Sequence, residues 1–178
     1  TGRTLGEEID NAEPPFRQNV VRTLDNPIYP QGGFAVLRGN LAPGGAIIKQ
    51  SAADPLLTEH EGRAVVFENM ADMAQRIDSD DLDVHADDVL VLKNIGPKGG
   101  PGMPEAGYIP IPRKLARAGV KDIVRVSDGR MSGTAFGTIV LHVTPEAAIG
   151  GPLAYVQNGD RIRLSLANRE ISLLVSAE

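Results

Sequence analysis

Short apolar runs separated by glycine, proline and asparagine follow one another from residue 32 onwards, and they predict a strand-rich fold. Residues 161–166 alternate strictly between polar and apolar positions, which indicates a strand with one buried and one solvated face. The next run then returns as the partner strand of a closing hairpin. The predicted strands cover residues 34–37, 46–48, 64–67, 89–92, 123–126, 138–143, 161–166 and 171–175.

Helical patterns are few and short. Asn69 is a candidate N-cap for a helix that ends near Ile77 and carries methionines on one face, and Pro112 opens a second helix that ends at Gly119. About eight strands with two or three short helices predict a mainly β fold (β/α), a closed or nearly closed β-barrel with flanking helices. A doubly wound α/β sheet is the alternative, but the predicted helices are too few for it.

The first 28 residues do not continue this pattern of short apolar runs. Residues 10–15 are polar and rich in helix breakers, and Asn26–Pro27 interrupts the chain again. We therefore expect residues 1–28 to be a linker from a missing N-terminal domain and residues 29–178 to be the barrel domain. A frayed terminus explains the first segment equally well.

Composition narrows the function classes. The chain has no cysteine, which excludes a disulfide scaffold and any thiolate-held metal or cluster within these residues. A net charge of -5 and an aromatic content of 4% argue against a nucleic-acid-binding surface. The sequence has no apolar run that could span a bilayer and no signal segment, so we expect no membrane partner and a cytoplasmic location.

A loop rich in glycine and proline follows the fourth predicted strand, over residues 96–105, with Gly99 and Gly100 at its centre. Such a backbone lets a ligand approach the main chain closely. It is not a Walker phosphate loop, because Lys98 is followed by glycine and each proline removes an N–H donor. Glu105 is a candidate metal ligand, but a long surface turn with a solvated carboxylate explains the same residues. Because Mg²⁺ takes six oxygens, a magnesium site would need further ligands from elsewhere.

A second loop, residues 127–133, follows the fifth predicted strand and contains Ser127 and Ser132. Both are turn or cap hydroxyls in the simplest interpretation, and Asp128 and Arg130 can pair with each other. The stretch around this loop is rich in arginine and lysine. That charge suits an anionic substrate, although a solvated helix face explains it equally well.

His142 falls on an apolar predicted strand, and no Ser-His-Asp arrangement is apparent. We therefore expect His142 to be a buried, hydrogen-bonded structural residue rather than a catalyst.

Taken in order, several segments resemble the family of dihydroxy-acid dehydratase, phosphogluconate dehydratase and sugar-acid dehydratases. The matching segments are residues 38–45, 96–105, 127–133, 142–147 and the closing hairpin. Independent motifs in the expected order over about residues 30–178 are far more specific than any one motif.

This resemblance implies a swivelling β-barrel domain similar to the mobile C-terminal domain of aconitase. The active site would lie between the barrel and a larger N-terminal domain of the same polypeptide, which would hold an iron-sulfur cluster and further Mg²⁺ ligands. Glu105 occupies the family's Mg²⁺-ligand position in the barrel, and Ser132 occupies the position of the proposed catalytic base. The residues expected to bind substrate or support the loops are Gly99, Gly100, Asp128, Arg130, Gly133 and Thr134.

The implied reaction removes water from a 2,3-dihydroxy acid or sugar acid and yields a 2-keto acid. Residues 133–138 and Leu141–His142 look closer to the sugar-acid (aldonate) branch than to the branched-chain amino-acid branch. The resemblance also implies that the fragment alone is inactive and that the full-length enzyme is a homodimer or higher homo-oligomer. The alternative is a non-catalytic β-barrel binding or assembly module of the same ancestry. Cysteines with cluster-like spacing upstream would favour the enzyme.

Overall fold

The computed structural model describes residues 1–14, 18–101, 109–131 and 136–175. The chain divides into two compact units, Thr1–Pro30 and Gln31–Glu178. The first unit contains helix α1 (Leu5–Asp10), which begins with a capping box. The Thr4 side chain accepts a hydrogen bond from the Glu7 N–H, and the Glu7 carboxylate accepts one from the Thr4 N–H.

The described part of the second unit is built around an eight-stranded sheet. The strands are β1 (Ala35–Leu37), β2 (Gly45–Ile48), β3 (Glu59–Phe67), β4 (Val89–Leu92), β5 (Val124–Ser127), β6 (Ile139–Thr144), β7 (Arg161–Ser165) and β8 (Glu170–Leu174). Their spatial order is β1-β2-β6-β5-β4-β3-β7-β8. The neighbours β6, β5, β4 and β3 are mutually parallel, and the outer pairs are antiparallel.

The two ends of this sheet meet. Arg38, just after β1, donates its N–H to the Arg169 carbonyl at 2.9 Å and accepts from the Ile171 N–H at 2.9 Å. Gly39 lies against this contact with a φ of +156°, and a Cβ there would run into the Ile171 carbonyl, so the close approach requires glycine. The sheet therefore curls into a nearly closed barrel, as predicted, and the doubly wound alternative is wrong.

Alternating side chains separate two apolar layers. One layer draws residues from all eight strands and fills the barrel, with Val66, Val91 and Val126 among its members. The other layer takes the intervening positions, such as Phe67 and Leu92, on the outer face of the central parallel strands. This arrangement follows from the two-residue period of a strand, which points successive side chains to opposite faces.

Two helices cover the outer layer. Helix α2 (Met70–Arg76) begins at the predicted cap, where the Asn69 side chain accepts from the Asp72 N–H, and it buries Met73. Helix α3 (Arg113–Arg117) lies between β4 and β5 in the chain and packs Leu115 against the same layer. Within the described ranges, no helix is long and apolar enough to cross a membrane.

Strand β3 is longer than predicted, because its first half is polar. Glu59 to Arg63 pair with β7 in antiparallel register, whereas Ala64 to Phe67 pair with β4 in parallel register. Glu61 lies opposite Arg163, and the two side chains bond at 3.3 Å. Cross-strand charge pairs therefore replace apolar alternation in this part of the strand.

Candidate functional site

Three loops leave the barrel at one edge. Strands β4, β5 and β6 are parallel neighbours, so their carboxyl ends lie side by side. Lys93, Asp128 and Pro145 are the first residues after these strands. In parallel sheets, ligands bind outside the carboxyl ends of the strands. The loops that contain both predicted motifs therefore begin at the edge where a ligand site is expected.

Asp128 joins the first loop to the third. Its carboxylate accepts hydrogen bonds from the backbone N–H groups of Asn94 at 3.2 Å, Ile95 at 3.0 Å and Ala147 at 2.9 Å. The residue is 1% exposed. A buried charge is tolerated only when hydrogen bonds replace its lost hydration, and these N–H groups supply them. Asp128 thus bonds the backbone of the first and third loops, whereas substrate binding by Asp128 stays a prediction.

Glu146 makes a second link of the same kind. It is buried, and its carboxylate oxygens accept the Lys98 N–H at 2.8 and 3.0 Å. Gly96 lies against the Glu146 side chain so closely that a Cβ at Gly96 would clash with the carboxylate. Glu146 therefore fixes the turn at the start of the glycine-rich loop, a role that the sequence did not predict.

The glycines of the first loop pack on its own backbone. A Cβ at Gly99 would approach the Asn94 carbonyl oxygen to 2.5 Å, and one at Gly100 would lie 3.3 Å from the Ile95 carbonyl oxygen. The Gly100 N–H bonds the Gly96 carbonyl at 2.8 Å. Side chains are therefore excluded at Gly99 and crowded at Gly100 by the tight turn itself. This packing bears on loop support, whereas substrate binding by these glycines stays a prediction.

The second loop opens with a tight turn. Ser127 is fully buried, and its hydroxyl accepts the Gly129 N–H at 3.1 Å. This is the turn role given by the simplest interpretation of the sequence. A Cβ at Gly129 would meet the Ile95 side chain at 2.5 Å, so the second loop packs directly on the first.

His142 departs from its expected position. Its side chain is exposed rather than buried, and its backbone has a φ of +56°. The register between β2 and β6 shifts there, because Ile47 pairs with Leu141 whereas Gly45 pairs with Thr144. This β-bulge breaks the two-residue alternation on which the prediction of burial rested. The His142 N–H instead bonds the Gly129 carbonyl at 3.1 Å and helps to hold the second loop.

A network that the sequence did not predict binds residues that follow the two motif loops in the chain. The Asp122 carboxylate and the Arg125 guanidinium form a buried ion pair at 2.6 Å. The same carboxylate accepts the Thr138 N–H and hydroxyl, both at 2.8 Å, and Arg125 donates to the Ile109 carbonyl at 3.2 Å. The sequence carries one signal for this pair, namely charged residues inside the apolar run of residues 122–126.

An apolar groove of about 410 Å³ borders the second loop. The residues that line it include Phe34, Ile47, Met131, Ile139 and His142. Phe34 is 65% exposed, so this part of the outer barrel wall faces solvent in the described chain.

The remaining predicted site residues divide into two groups. Arg130 is exposed in the second loop, near the barrel edge. Glu105, Ser132, Gly133 and Thr134 lie outside the described residues. In the part of the chain that is described, no group of three or more histidine and acidic side chains could hold a metal ion. The sequence also contains no cysteine, so it offers no thiolate to a cluster.

Comparisons with known proteins agree with the resemblance seen in the motifs. Residues 19–178 match the family described as Dihydroxy-acid/6-phosphogluconate dehydratase C-terminal. The chain is 56% identical to the L-arabonate dehydratase of Azospirillum brasilense, with 92% of this chain and 28% of the relative covered. It is 51% identical to the 6-deoxy-6-sulfo-D-gluconate dehydratase of Pseudomonas putida, over 99% of this chain and 31% of the relative. It is 48% identical to the L-arabinonate dehydratase of Rhizobium leguminosarum bv. trifolii, over 100% of this chain and 31% of the relative.

The chain thus spans less than a third of the length of these curated relatives. All three are named as dehydratases of sugar acids, in keeping with the predicted branch. The family match covers nearly the whole chain and agrees with the barrel and with the order of its loops. The chain belongs to the dihydroxy-acid/6-phosphogluconate dehydratase family and corresponds to its C-terminal domain.

Proposed function

We propose that this chain is the substrate-site barrel of a sugar-acid dehydratase that depends on Mg²⁺ and an iron-sulfur cluster and that eliminates water to give a 2-keto acid. The supporting observation is the set of hydrogen bonds from Asp128 to Asn94, Ile95 and Ala147. They gather the loops of both predicted motifs at one barrel edge. The rest of the active site would come from an N-terminal domain of the same polypeptide, in an enzyme that assembles as a homodimer or higher homo-oligomer.

The residues of this chain fit the two cofactors differently. Without cysteine, the chain has no ligand for an iron-sulfur cluster, and no step assigned to this chain involves one. For Mg²⁺, Glu105 would supply one carboxylate oxygen of the six oxygens that the ion takes. When bound, Mg²⁺ would supply positive charge that stabilises the negative charge developing on the substrate.

Ser132 is the residue of this chain to which we assign the proton transfer. It would accept the proton from C2 of the substrate while hydroxide leaves C3, and the resulting enol tautomerises to the 2-keto acid. A serine hydroxyl is too weakly acidic to ionise unaided, so Ser132 needs positive charge or hydrogen bonds that favour its charged form. Both depend on where the two loops hold Ser132 and Glu105.

The test compares three variants in the full-length enzyme. Ser132→Ala should leave substrate binding intact and lower kcat and kcat/KM together, by roughly 10²–10⁴-fold, because a positioned base acts only in the transition state. Glu105→Gln should also lower turnover, and excess Mg²⁺ should partly restore it. Ser127→Ala is the matched control, because its hydroxyl bonds the Gly129 N–H within the turn.

The informative signal is exchange of the substrate C2 proton with solvent, measured beside turnover. Ser132→Ala should lose both, whereas Ser127→Ala should keep most of both. If Ser132→Ala retains normal C2 exchange, the base lies elsewhere. If the full-length protein dehydrates no sugar acid or dihydroxy acid, the barrel is a binding or assembly module instead.

A further inference from the structure

The Asp122–Arg125 ion pair, which also binds residues next to the loops, involves the outer face of β5. Arg125 is 5% exposed, and its neighbours Val124 and Val126 point into the barrel. The Arg125 side chain therefore points away from the barrel interior, on the side of the Ile109 and Ile123 layer. The connections from β4 to β5 and from β5 to β6 each have a residue bonded to Arg125 or to its partner Asp122, namely Ile109 and Thr138.

Each returning connection is bonded to one member of the Asp122–Arg125 pair. Arg125 Nη1 donates to the carbonyl of Ile109, which follows Glu105 in the sequence and lies near the middle of the connection from β4 to β5. Asp122 Oδ2 accepts the N–H and the hydroxyl of Thr138, at the end of the connection that contains Ser132. The pair itself closes at 2.6 Å between Arg125 Nη2 and Asp122 Oδ1. A single buried ion pair therefore binds the chain after each of the two motif loops.

Gly137 shows how closely the second connection lies on this unit. A Cβ at Gly137 would collide with the Arg125 guanidinium, and the backbone φ of +130° is one that side chains rarely adopt. The Gly137 N–H also bonds the Ala52 carbonyl at 2.7 Å. The connection from β5 to β6 therefore lies directly against the Arg125 side chain just before β6 begins.

We infer that Asp122 and Arg125 are positioning residues for catalysis, which hold the chain after each motif loop, at Ile109 beyond Glu105 and at Thr138 beyond Ser132. The inference rests on the proposed function. Asp128 holds the chain before each motif loop reaches these residues. It binds Asn94 and Ile95 at the start of the first loop, and it is itself at the start of the second loop. A segment held at both ends samples far fewer positions than one held at a single end. Small displacements of reacting groups are costly, since about 1 Å can lower a rate on the order of 10²-fold.

The experiment compares the same substitution at two arginines. Arg125→Lys keeps the charge but loses the planar fork that reaches Asp122 and Ile109 together. Arg63→Lys is the matched control, because Arg63 also binds a buried aspartate, Asp88, through two nitrogens at 3.1 and 2.9 Å. These bonds join β3 to the segment before β4, and they do not involve the connections that contain Glu105 and Ser132.

Two readouts separate positioning from simple support of the fold. In this chain, hydrogen exchange of the Thr138 amide should accelerate in Arg125→Lys and remain unchanged in Arg63→Lys. In the full-length enzyme, assayed well below the unfolding midpoint of each variant, Arg125→Lys should lower kcat by roughly 10-fold to 100-fold. Its KM should change little, and Arg63→Lys should keep the kcat of the parent enzyme.

Equal Thr138 exchange in the two lysine variants, or equal kcat, would overturn the inference. If Arg125→Lys does not fold, Thr138→Val replaces it, because it removes the hydroxyl bond to Asp122 and keeps the side-chain shape. The same exchange and kcat criteria then apply. Failure of the proposed function has a different signature. The full-length parent would then dehydrate no sugar acid or dihydroxy acid, or Ser132→Ala would keep the parent's turnover, whereas Thr138 exchange in this chain would still report on the Asp122–Arg125 pair.

Discussion

Removal of the Asp128 carboxylate is the most direct test of how the loops are held. Asp128→Ala would leave the N–H groups of Asn94, Ile95 and Ala147 without their acceptor. An unsatisfied buried polar group costs about 1–3 kcal/mol. Because a water molecule can enter the space and satisfy part of the set, we expect a total loss of about 3–5 kcal/mol in the free energy of unfolding.

Asp128→Asn should lie between the parent and the alanine variant. One oxygen, Oδ2, accepts from Asn94 and Ala147, and the other, Oδ1, accepts from Ile95. An asparagine can keep its carbonyl at the first position, but its amide nitrogen then faces the Ile95 N–H. The variant loses one bond and the negative charge, so we expect a cost of about 1–3 kcal/mol.

Urea unfolding followed by far-UV circular dichroism measures these differences, since the chain has no tryptophan to report by fluorescence. Asp160→Ala is the matched control, because Asp160 is half-buried and accepts the Gln157 N–H at 2.8 Å in a turn. It should cost about 1 kcal/mol, the usual net value of one hydrogen bond. An Asp128→Ala loss no larger than that of Asp160→Ala would refute the role of Asp128 as the loop anchor.

Two further predictions concern metal binding and acid stability. This chain alone should show no stoichiometric Mg²⁺ binding in calorimetry, because Glu105 would supply one ligand and no group of three acidic or histidine side chains among the described residues is arranged to hold a metal ion. A tight site would show that the missing ligands were wrongly assigned. Hydrogen bonds from Arg161 and Arg163 lower the pKa of Glu61, so its contribution to stability is present above the unfolded pKa and is lost as the pH falls through the folded one. The difference in melting temperature between the parent and Glu61→Gln should therefore shrink below about pH 4, and a difference independent of pH would contradict this.

The strands were predictable where local pattern decides the structure. Residues 161–166 alternate and residues 89–92 are continuously apolar, and both form the expected strands as β7 and β4. The polar half of β3 was missed because its stability comes from pairing with β7, about 100 residues later in the chain. A side chain whose partner lies that far away leaves no local periodicity to detect.

The candidate site likewise has features that the local sequence predicts and features that depend on distant contacts. The two loops were predicted from their glycine-containing motifs, and the site role of Asp128 was predicted from the resemblance to the family. Glu146 and the bonds of the Asp122–Arg125 pair to Ile109 and Thr138 were not, because these partners are distant in the sequence and come near only in the folded sheet. The burial expected for His142 was wrong because a bulge in β6 interrupts the alternation. Long-range backbone contacts and register shifts are the features that sequence periodicity does not encode.

Buried carboxylates are a physically suitable means of fixing loops of this composition. The stretch from Gly96 to Pro101 has three glycines and two prolines, so it offers few side chains for packing, and the backbone N–H is its main point of attachment. A carboxylate can accept several N–H groups at once, as Asp128 does, and each charged acceptor makes a stronger bond than a neutral one. The Lys98 side chain is exposed, and it is the Lys98 N–H that Glu146 binds. The position of the loop is therefore determined largely by two buried acidic residues, Asp128 directly after β5 and Glu146 shortly after β6.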